Sequence, residues 1–389
     1  MNEFRRIGSF AKLVTRKNRN NVSSADVYSV TKYDGFVRSL DYFKKQVFSR
    51  DLSTYKIVKK GEFAYSTIHL DEGSIAFLDE EEALISPMYT VFKVDESVDI
   101  VYLDCLLSSD LLLTKYGLIG QGSINRRKSV PFSSFSELEV RIPSIYEQKK
   151  IAKILKEIDT TKESFIKKKK LIHLAKISTI NRYIDSLNNQ NSAQLSCKDV
   201  CKRIFVGIAS STTHAYTNSN GVPMLRNQNI KEGCIDTSDI LYINQSFADK
   251  QITRELKTGD VITARTGYPG ISAVIPQQLN GCHSFTTLIS RINQDIVLPD
   301  YYSIYLNSLE GKRQIKKIQA GGAQENLNVS SLEKLKIRIP DFNKQNKLIE
   351  ISTTFDSLLN SIEKKVLKLN NLKIATSNEL LLGRKKVNI

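Results

Sequence analysis

Two loops carry the side chains best suited to chemistry with a polyanion. One is Ser123-Ile124-Asn125-Arg126-Arg127-Lys128, which follows Gly120-Gln121-Gly122; the other is Gly321-Gly322-Ala323-Gln324-Glu325-Asn326-Leu327-Asn328. A guanidinium presents paired donors to guanine, and a carboxamide presents a donor and an acceptor to adenine. Both loops are therefore stocked for reading base edges in a major groove. Leu225-Arg226-Asn227-Gln228-Asn229 and Arg265-Thr266-Gly267 add the same groups in the second half. Ordinary surface loops are also rich in Gly, Asn and Arg. What singles these out is that the first two stand at equivalent places in an internal repeat. The candidate contacts are Ser123, Asn125, Arg126, Arg127, Lys128, Arg226, Asn227, Gln228, Asn229, Arg265, Thr266, Gln324, Asn326 and Asn328.

Residue types that would make the chain a catalyst are missing or scattered. There is no phosphate-binding Gly-x-x-x-x-Gly-Lys-[Ser/Thr] loop, no glycine-rich dinucleotide fingerprint and no Asn-Pro-Pro-aromatic tetrapeptide. His69, His173, His214 and His283 are too dispersed for a triad or a metal cluster. Asp71, Glu72 and the acidic run 79–82 fit a solvated turn better than a nuclease cluster. Cys105, Cys197, Cys201, Cys234 and Cys282 are odd in number, and their spacing matches no common zinc finger. The chain is expected to hold no metal or cofactor and to perform no chemistry of its own.

Charge agrees with a polyanionic partner. Lys+Arg number 57 against 41 Asp+Glu, for a formal net charge of +16. A surface that basic favours nucleic acid, although a lysine-rich coding bias would also raise the charge. At 389 residues the chain can form two domains, each with its own core. Its longest apolar runs fall far short of the roughly 20 residues that span a bilayer, and the N-terminus lacks a signal-peptide core. A cytoplasmic protein with no membrane partner is expected.

The elements that must position these loops occur twice. Ser133 to Pro143 (SSFSELEVRIP) recurs as Ser330 to Pro340 (SSLEKLKIRIP), and 330 − 133 and 340 − 143 both give an offset of 197. Gln148 and Gln345, Lys150 and Lys347, and Asp159 and Asp356 keep the same offset. After each Pro an apolar residue falls at every seventh position. The first stripe is Ile151, Ile158, Phe165 and Ile172, flanked by Ile154 and Leu155. The second is Leu348, Phe355, Ile362 and Leu369, joined by Ile351 and Leu358. That period is the mark of a coiled coil. It predicts two helices of about 35 to 40 residues, starting near Tyr146 and Lys344, packed on each other and antiparallel. The run Lys167–Lys170 reads as a solvated face.

Before each helix lies a segment of mixed character. Strands are expected at 61–66, 89–94 and 259–264, with short helices at 103–113 and 301–309. Outside the joints the two segments hardly match, as expected if each copy engages a different target. The expected fold is α+β, with two globular mixed α/β domains separated by two long antiparallel helices forming a coiled coil. Domain 1 spans 1–143, helix 1 spans 144–190, domain 2 spans 191–340 and helix 2 spans 341–389.

These residues resemble the DNA-specificity subunit of type I restriction–modification systems over essentially the whole chain. Tyr55 to Phe63 with Ser86 to Phe92 resembles one class of target-recognition domain. Gly221 to Ile230 with Leu256 to Val261 resembles another. Ile142-Pro143-x-x-x-x-Gln148-x-x-Ile151-Ala152, with Glu147 before the Gln, looks like the start of the family's conserved helical region. The second copy departs, with Lys344 at the place of Glu147 and Ser352 replacing an apolar residue. The resemblance implies a non-catalytic subunit that binds double-stranded DNA at a split, asymmetric target. Its helices would set the spacer and dock two methyltransferase subunits. A motor–nuclease subunit would join the complex, and S-adenosylmethionine, ATP and Mg would belong to those partners. A type IIB-like system uses the same architecture. A scaffolding protein carrying two non-DNA binding modules on a coiled coil is the reading from a different class.

Overall fold

A computed structural model describes residues 3–120, 129–187, 193–320 and 326–387. Two compact units emerge, Met1–Ile166 with Lys364–Ile389, and Lys167–Glu363. Each unit contains one mixed globular part and about half of each long helix.

The globular parts share one plan. In the first unit a four-stranded sheet places Ala11–Val14, Tyr89–Val94, Phe63–Ser66 and Ile75–Phe77 side by side. In the second, Cys201–Val206, Leu288–Ile292, Val261–Thr263 and Ser272–Val274 stand in the same order. Each unit also has a second four-stranded sheet containing one parallel pair. These pairs are Val27–Thr31 with Glu82–Ile85, and Val222–Leu225 with His283–Ser284. Even the turn before the central strand repeats. Gly61 and Gly259 both take positive φ (79° and 85°). The acid that follows each glycine then accepts from its own turn and holds an arginine. Glu62 takes the Lys59 N–H at 2.8 Å and pairs with Arg16, while Asp260 takes the Lys257 N–H at 2.9 Å and pairs with Arg291. The halves that diverge in sequence therefore share a topology.

The strand expected at 61–66 begins at Phe63 because Gly61 belongs to that turn, whereas Tyr89–Val94 matches its expected range. The single helix expected at 103–113 is instead two, Ile100–Leu107 and Asp110–Ile119. The Ser108 and Ser109 hydroxyls bond back to Asp104 O and Leu106 O, which closes the first helix and lets the chain turn. The helix expected at 301–309 is Pro299–Asn307.

The joint to each long helix is the most faithfully repeated feature. Ser144 Oγ and Asp341 Oδ1 cap the first turns by accepting from Glu147 N and Lys344 N. One turn later a buried glutamine fastens the helix to its own globular part. Gln148 accepts from Asp99 N (2.8 Å) and donates to Ser97 O (3.1 Å) and Pro143 O (2.8 Å). Gln345 accepts from Leu298 N (2.8 Å) and donates to Ile296 O (3.2 Å) and Pro340 O (2.9 Å). A buried tyrosine completes each joint, with Tyr102 OH on Arg141 O and Tyr301 OH on Arg338 O, both at 2.8 Å.

The long helices run over Ile145–Ser186 and Phe342–Leu381, 42 and 40 residues, so each is about 60 Å long. Within each unit their segments run antiparallel. In the first, Lys373 binds Asp159 at 2.7 Å and Lys365 lies over the Phe165 ring; in the second, Lys176 binds Asp356 at 2.6 Å and Tyr183 OH reaches Lys344 O. The two lysine–aspartate pairs are one contact made twice, since each partner lies 197 residues from its counterpart.

Burial along the stripes is uneven. Ile151 and Leu155 are buried with Leu380 and Leu381 in the first core, and Leu348 is buried with Ile180 and Ile184 in the second. Ile154, Ile158, Phe165, Ile172, Ile351, Phe355 and Leu369 are half-buried, and Ile362 is buried. Leu358, assigned to the stripe, is instead 47% exposed. A two-stranded seam covers only the face it meets. Near its ends each helix packs on the globular part of the unit in which that end lies, as well as on the other helix.

Candidate nucleic-acid interface

In the second unit, parallel pairing of Val222–Leu225 with His283–Ser284 brings the C-terminal ends of both strands to one edge. Arg226-Asn227-Gln228 and Phe285-Thr286 leave the sheet there side by side, and Phe285 N donates to Leu225 O at 2.8 Å. The loop between Val261–Thr263 and Ser272–Val274 reaches the same place. Its Arg265 N–H donates to Asn227 Oδ1 at 2.7 Å. Leu327 N then donates to Arg265 O at 3.1 Å, while Asn326, the residue before it, is not among those lining the cleft. Three segments far apart in sequence thus meet at one open cleft of about 890 Å³, lined by Arg226, Asn227, Gln228, Lys231, Thr266 and Tyr268 among others.

The surrounding residues are built to hold these groups. Asp239 Oδ2 accepts from Arg226 Nη2 at 2.8 Å and from Gln228 Nε2 at 2.7 Å. Arg226 Nε and Arg265 Nε are both buried with no partner among the described residues. Gly267 and Gly270 adopt positive φ (74° and 96°) and carry between them Tyr268, which is 78% exposed. Thr286 also sits at φ 54°, a conformation a β-branched residue adopts only under constraint. Sequence reading missed Tyr268 and Thr286. The Thr-Gly-Tyr-Pro-Gly run was a signal for the first, and nothing in the sequence marked the second.

Two of the expected contacts serve the frame. Asn229 is buried, and its amide bonds to Asp236 O and Asp239 O, both at 3.0 Å. Asn328 caps the helix Val329–Lys334 by accepting from Ser331 N at 2.8 Å. An amide suited to base reading is equally suited to a turn or a cap.

In the first unit the expected contacts Ser123, Asn125, Arg126, Arg127 and Lys128 lie outside the described residues, as does Gln324 in the second. The segment just past the first loop repeats its counterpart in the second unit. Val130 N donates to Thr67 O at 2.8 Å, as Leu327 N does to Arg265 O. The first unit also presents a basic edge that sequence reading passed over. Arg19, Lys44, Lys45 and Arg50 are exposed, and none has an ion-pair partner among the described residues. Tyr55 ties their segments together, its carbonyl accepting from Asn18 N and its hydroxyl from Ser49 N. Tyr42 and Phe43, which precede Lys44 in the chain, are 49% and 39% exposed.

Four of the five cysteines are held away from the reactive thiolate form. Burial pushes the Cys105 thiol up to about 11 and those of Cys197, Cys201 and Cys282 up to about 12, far from thiolate chemistry at neutral pH. Burial also holds the His283 pKa below the usual range. Among the described residues no group of three or more His, Cys, Asp or Glu could hold a metal ion. Among the described residues no helix is long and apolar enough to cross a membrane.

Residues 190–371 match the family model of the type I restriction modification DNA specificity domain. The Type I restriction enzyme MjaVIII specificity subunit of Methanocaldococcus jannaschii is 23% identical over 344 residues, covering 80% of this chain and 76% of that one. The putative type I restriction enzyme MjaX specificity subunit of the same organism is 27% identical over 184 residues, 45% of this chain and 42% of its own length. Two solved structures share the fold. One, described as the structural basis underlying complex assembly and conformational transition of the type I R-M system, has a TM-score of 0.62 at 14% identity, covering 97% of both chains. The S subunit of the type I restriction-modification system from M. genitalium has a TM-score of 0.56 at 12% identity, covering 97% of this chain and 95% of that one.

Proposed function

We propose that this chain, a member of the type I restriction–modification DNA-specificity family, reads a split DNA target with its two globular parts and supplies no chemistry itself. The observation that carries this reading is the convergence in the second unit of Arg226, Gln228, Thr266 and Thr286 from three separate segments around one open cleft. Arginine and carboxamide donors and acceptors at one mouth are what base-edge recognition requires. The loop at 121–128, with the basic edge of Arg19, Lys44, Lys45 and Arg50, serves the other half-target in the first unit. There the cations supply phosphate contacts, which fix register without reading sequence.

The recognition domains are 1–143 and 191–340, and the spacer regions are 144–190 and 341–389, built on the helices Ile145–Ser186 and Phe342–Leu381. The helices set the spacer between half-targets and carry two methyltransferase subunits. Those subunits bring S-adenosylmethionine and extrude the target adenine. A motor–nuclease subunit, with ATP and Mg, cuts unmodified DNA.

Arg226→Ala is the direct test. Loss of a charge-assisted base contact should weaken recognition of one half-target by about 1–3 kcal/mol and leave the other half unchanged. The measurement is methylation by the assembled complex on duplexes altered in one half at a time. Equal weakening at both halves would contradict two independent readers.

A further inference from the structure

We propose that Asp239 is a positioning residue for base recognition, fixing Arg226 and Gln228 as one donor–acceptor pair at the cleft. The inference rests on the specificity reading and adds a residue that does not itself face the target. Arg226 and Gln228 line the cleft, and Asp239 is not among its lining residues.

The hydrogen bonds fix what each partner has left to offer. One carboxylate oxygen, Asp239 Oδ2, takes both Arg226 Nη2 (2.8 Å) and Gln228 Nε2 (2.7 Å), and Asp239 O takes Arg226 Nη2 again at 2.9 Å. A carboxylate only accepts, so the Gln228 amide must turn its NH₂ toward Asp239, which leaves Oε1 as an acceptor. Arg226 has Nη2 committed twice, so Nη1 is the part of its fork that remains. Its backbone N–H is held by Asn229 Oδ1 at 2.9 Å. The result is a locked donor beside a locked acceptor. That combination suits a guanine acceptor edge next to the amino group of adenine or cytosine.

Stability does not account for the arrangement. The Asp239 side chain is 68% exposed, and exposed ion pairs contribute little to folding. Electrostatics do not favour it either, because an acid close to a DNA contact surface opposes phosphate binding. An acid kept at such a place gains its value by holding the groups that read, as outer-shell carboxylates hold metal-binding histidines.

The test uses the full chain assembled with its methyltransferase subunits, carrying Asp239→Ala, Asp239→Asn or Asp239→Glu. Methylation is measured across a duplex library in which every base pair of both half-targets is varied. With Asp239→Ala, discrimination at one or two adjacent base pairs of a single half-target should fall roughly 10-fold. Overall DNA affinity should hold or rise, because a negative charge is removed. Asp239→Asn, which keeps one acceptor oxygen, should fall between wild type and alanine, and Asp239→Glu should recover part of the discrimination. Thermal unfolding should be unchanged. A variant profile that matches wild type, or a uniform loss at every base pair, overturns the role of Asp239. If the wild-type complex itself shows no base preference in that half-target, the specificity reading falls, and this inference with it.

Discussion

Replacing Gln345 with leucine is expected to lower the local stability of the second joint by about 3 kcal/mol, with Gln148→Leu doing the same at the first. Leucine is close in volume but removes the partner of three backbone groups, one of them at a buried bond and two at part-buried ones. In the second unit these are Leu298 N–H, Ile296 O and Pro340 O; in the first they are Asp99 N–H, Ser97 O and Pro143 O. A fully buried orphan costs about 1–3 kcal/mol and a part-buried one less, because water reaches it. The chain has no tryptophan, so hydrogen exchange resolved by peptide is the suitable probe. Faster exchange should appear at the start of the affected helix and in the loop it holds, and the other joint should stay at wild-type protection. A change below about 0.5 kcal/mol would mean that the repeated glutamine is incidental.

Removing one helical turn, about four residues, from each long helix should shorten the preferred spacer of the target. The cuts belong between Asp159 and Lys176 in the first helix and between Asp356 and Lys373 in the second, so both lysine–aspartate pairs survive. Four residues remove about 6 Å of helix, against about 3.4 Å of DNA rise per base pair, which sets an upper limit of about two base pairs. Four residues also advance the helix by slightly more than a full turn, so the apolar stripe keeps nearly the same face. Methylation of duplexes with graded spacers should move its optimum to the shorter side. An optimum that stays in place would remove the helices from any role as a ruler.

The sequence made the joints and helices legible because both depend on periodicity and repetition. The seven-residue period and the offset of 197 locate Ile145–Ser186 and Phe342–Leu381 nearly to their ends. The shared topology of the globular parts was hidden, because a strand needs only alternate burial and many side chains satisfy it. Gly61-Glu62 and Gly259-Asp260 were the visible trace of it. Ser108-Ser109 broke a helix that looked continuous, since serine competes for the carbonyls that would continue it. At the interface, Arg226, Gln228 and Thr266 do meet at one cleft. Asn229 and Asn328 stabilise a turn and a cap, a choice composition cannot make. Asp239 was invisible because its meaning lies in two partners brought to it by folding.

Direction of modification to a split target can be read in the host's own DNA. Methylated adenines should be mapped across host DNA with this gene intact, deleted and restored. The expected result is one set of adenines in a two-part, asymmetric sequence with a fixed gap, lost on deletion and regained on restoration. Methylation that survives deletion, or that falls in an undivided sequence, would contradict the account.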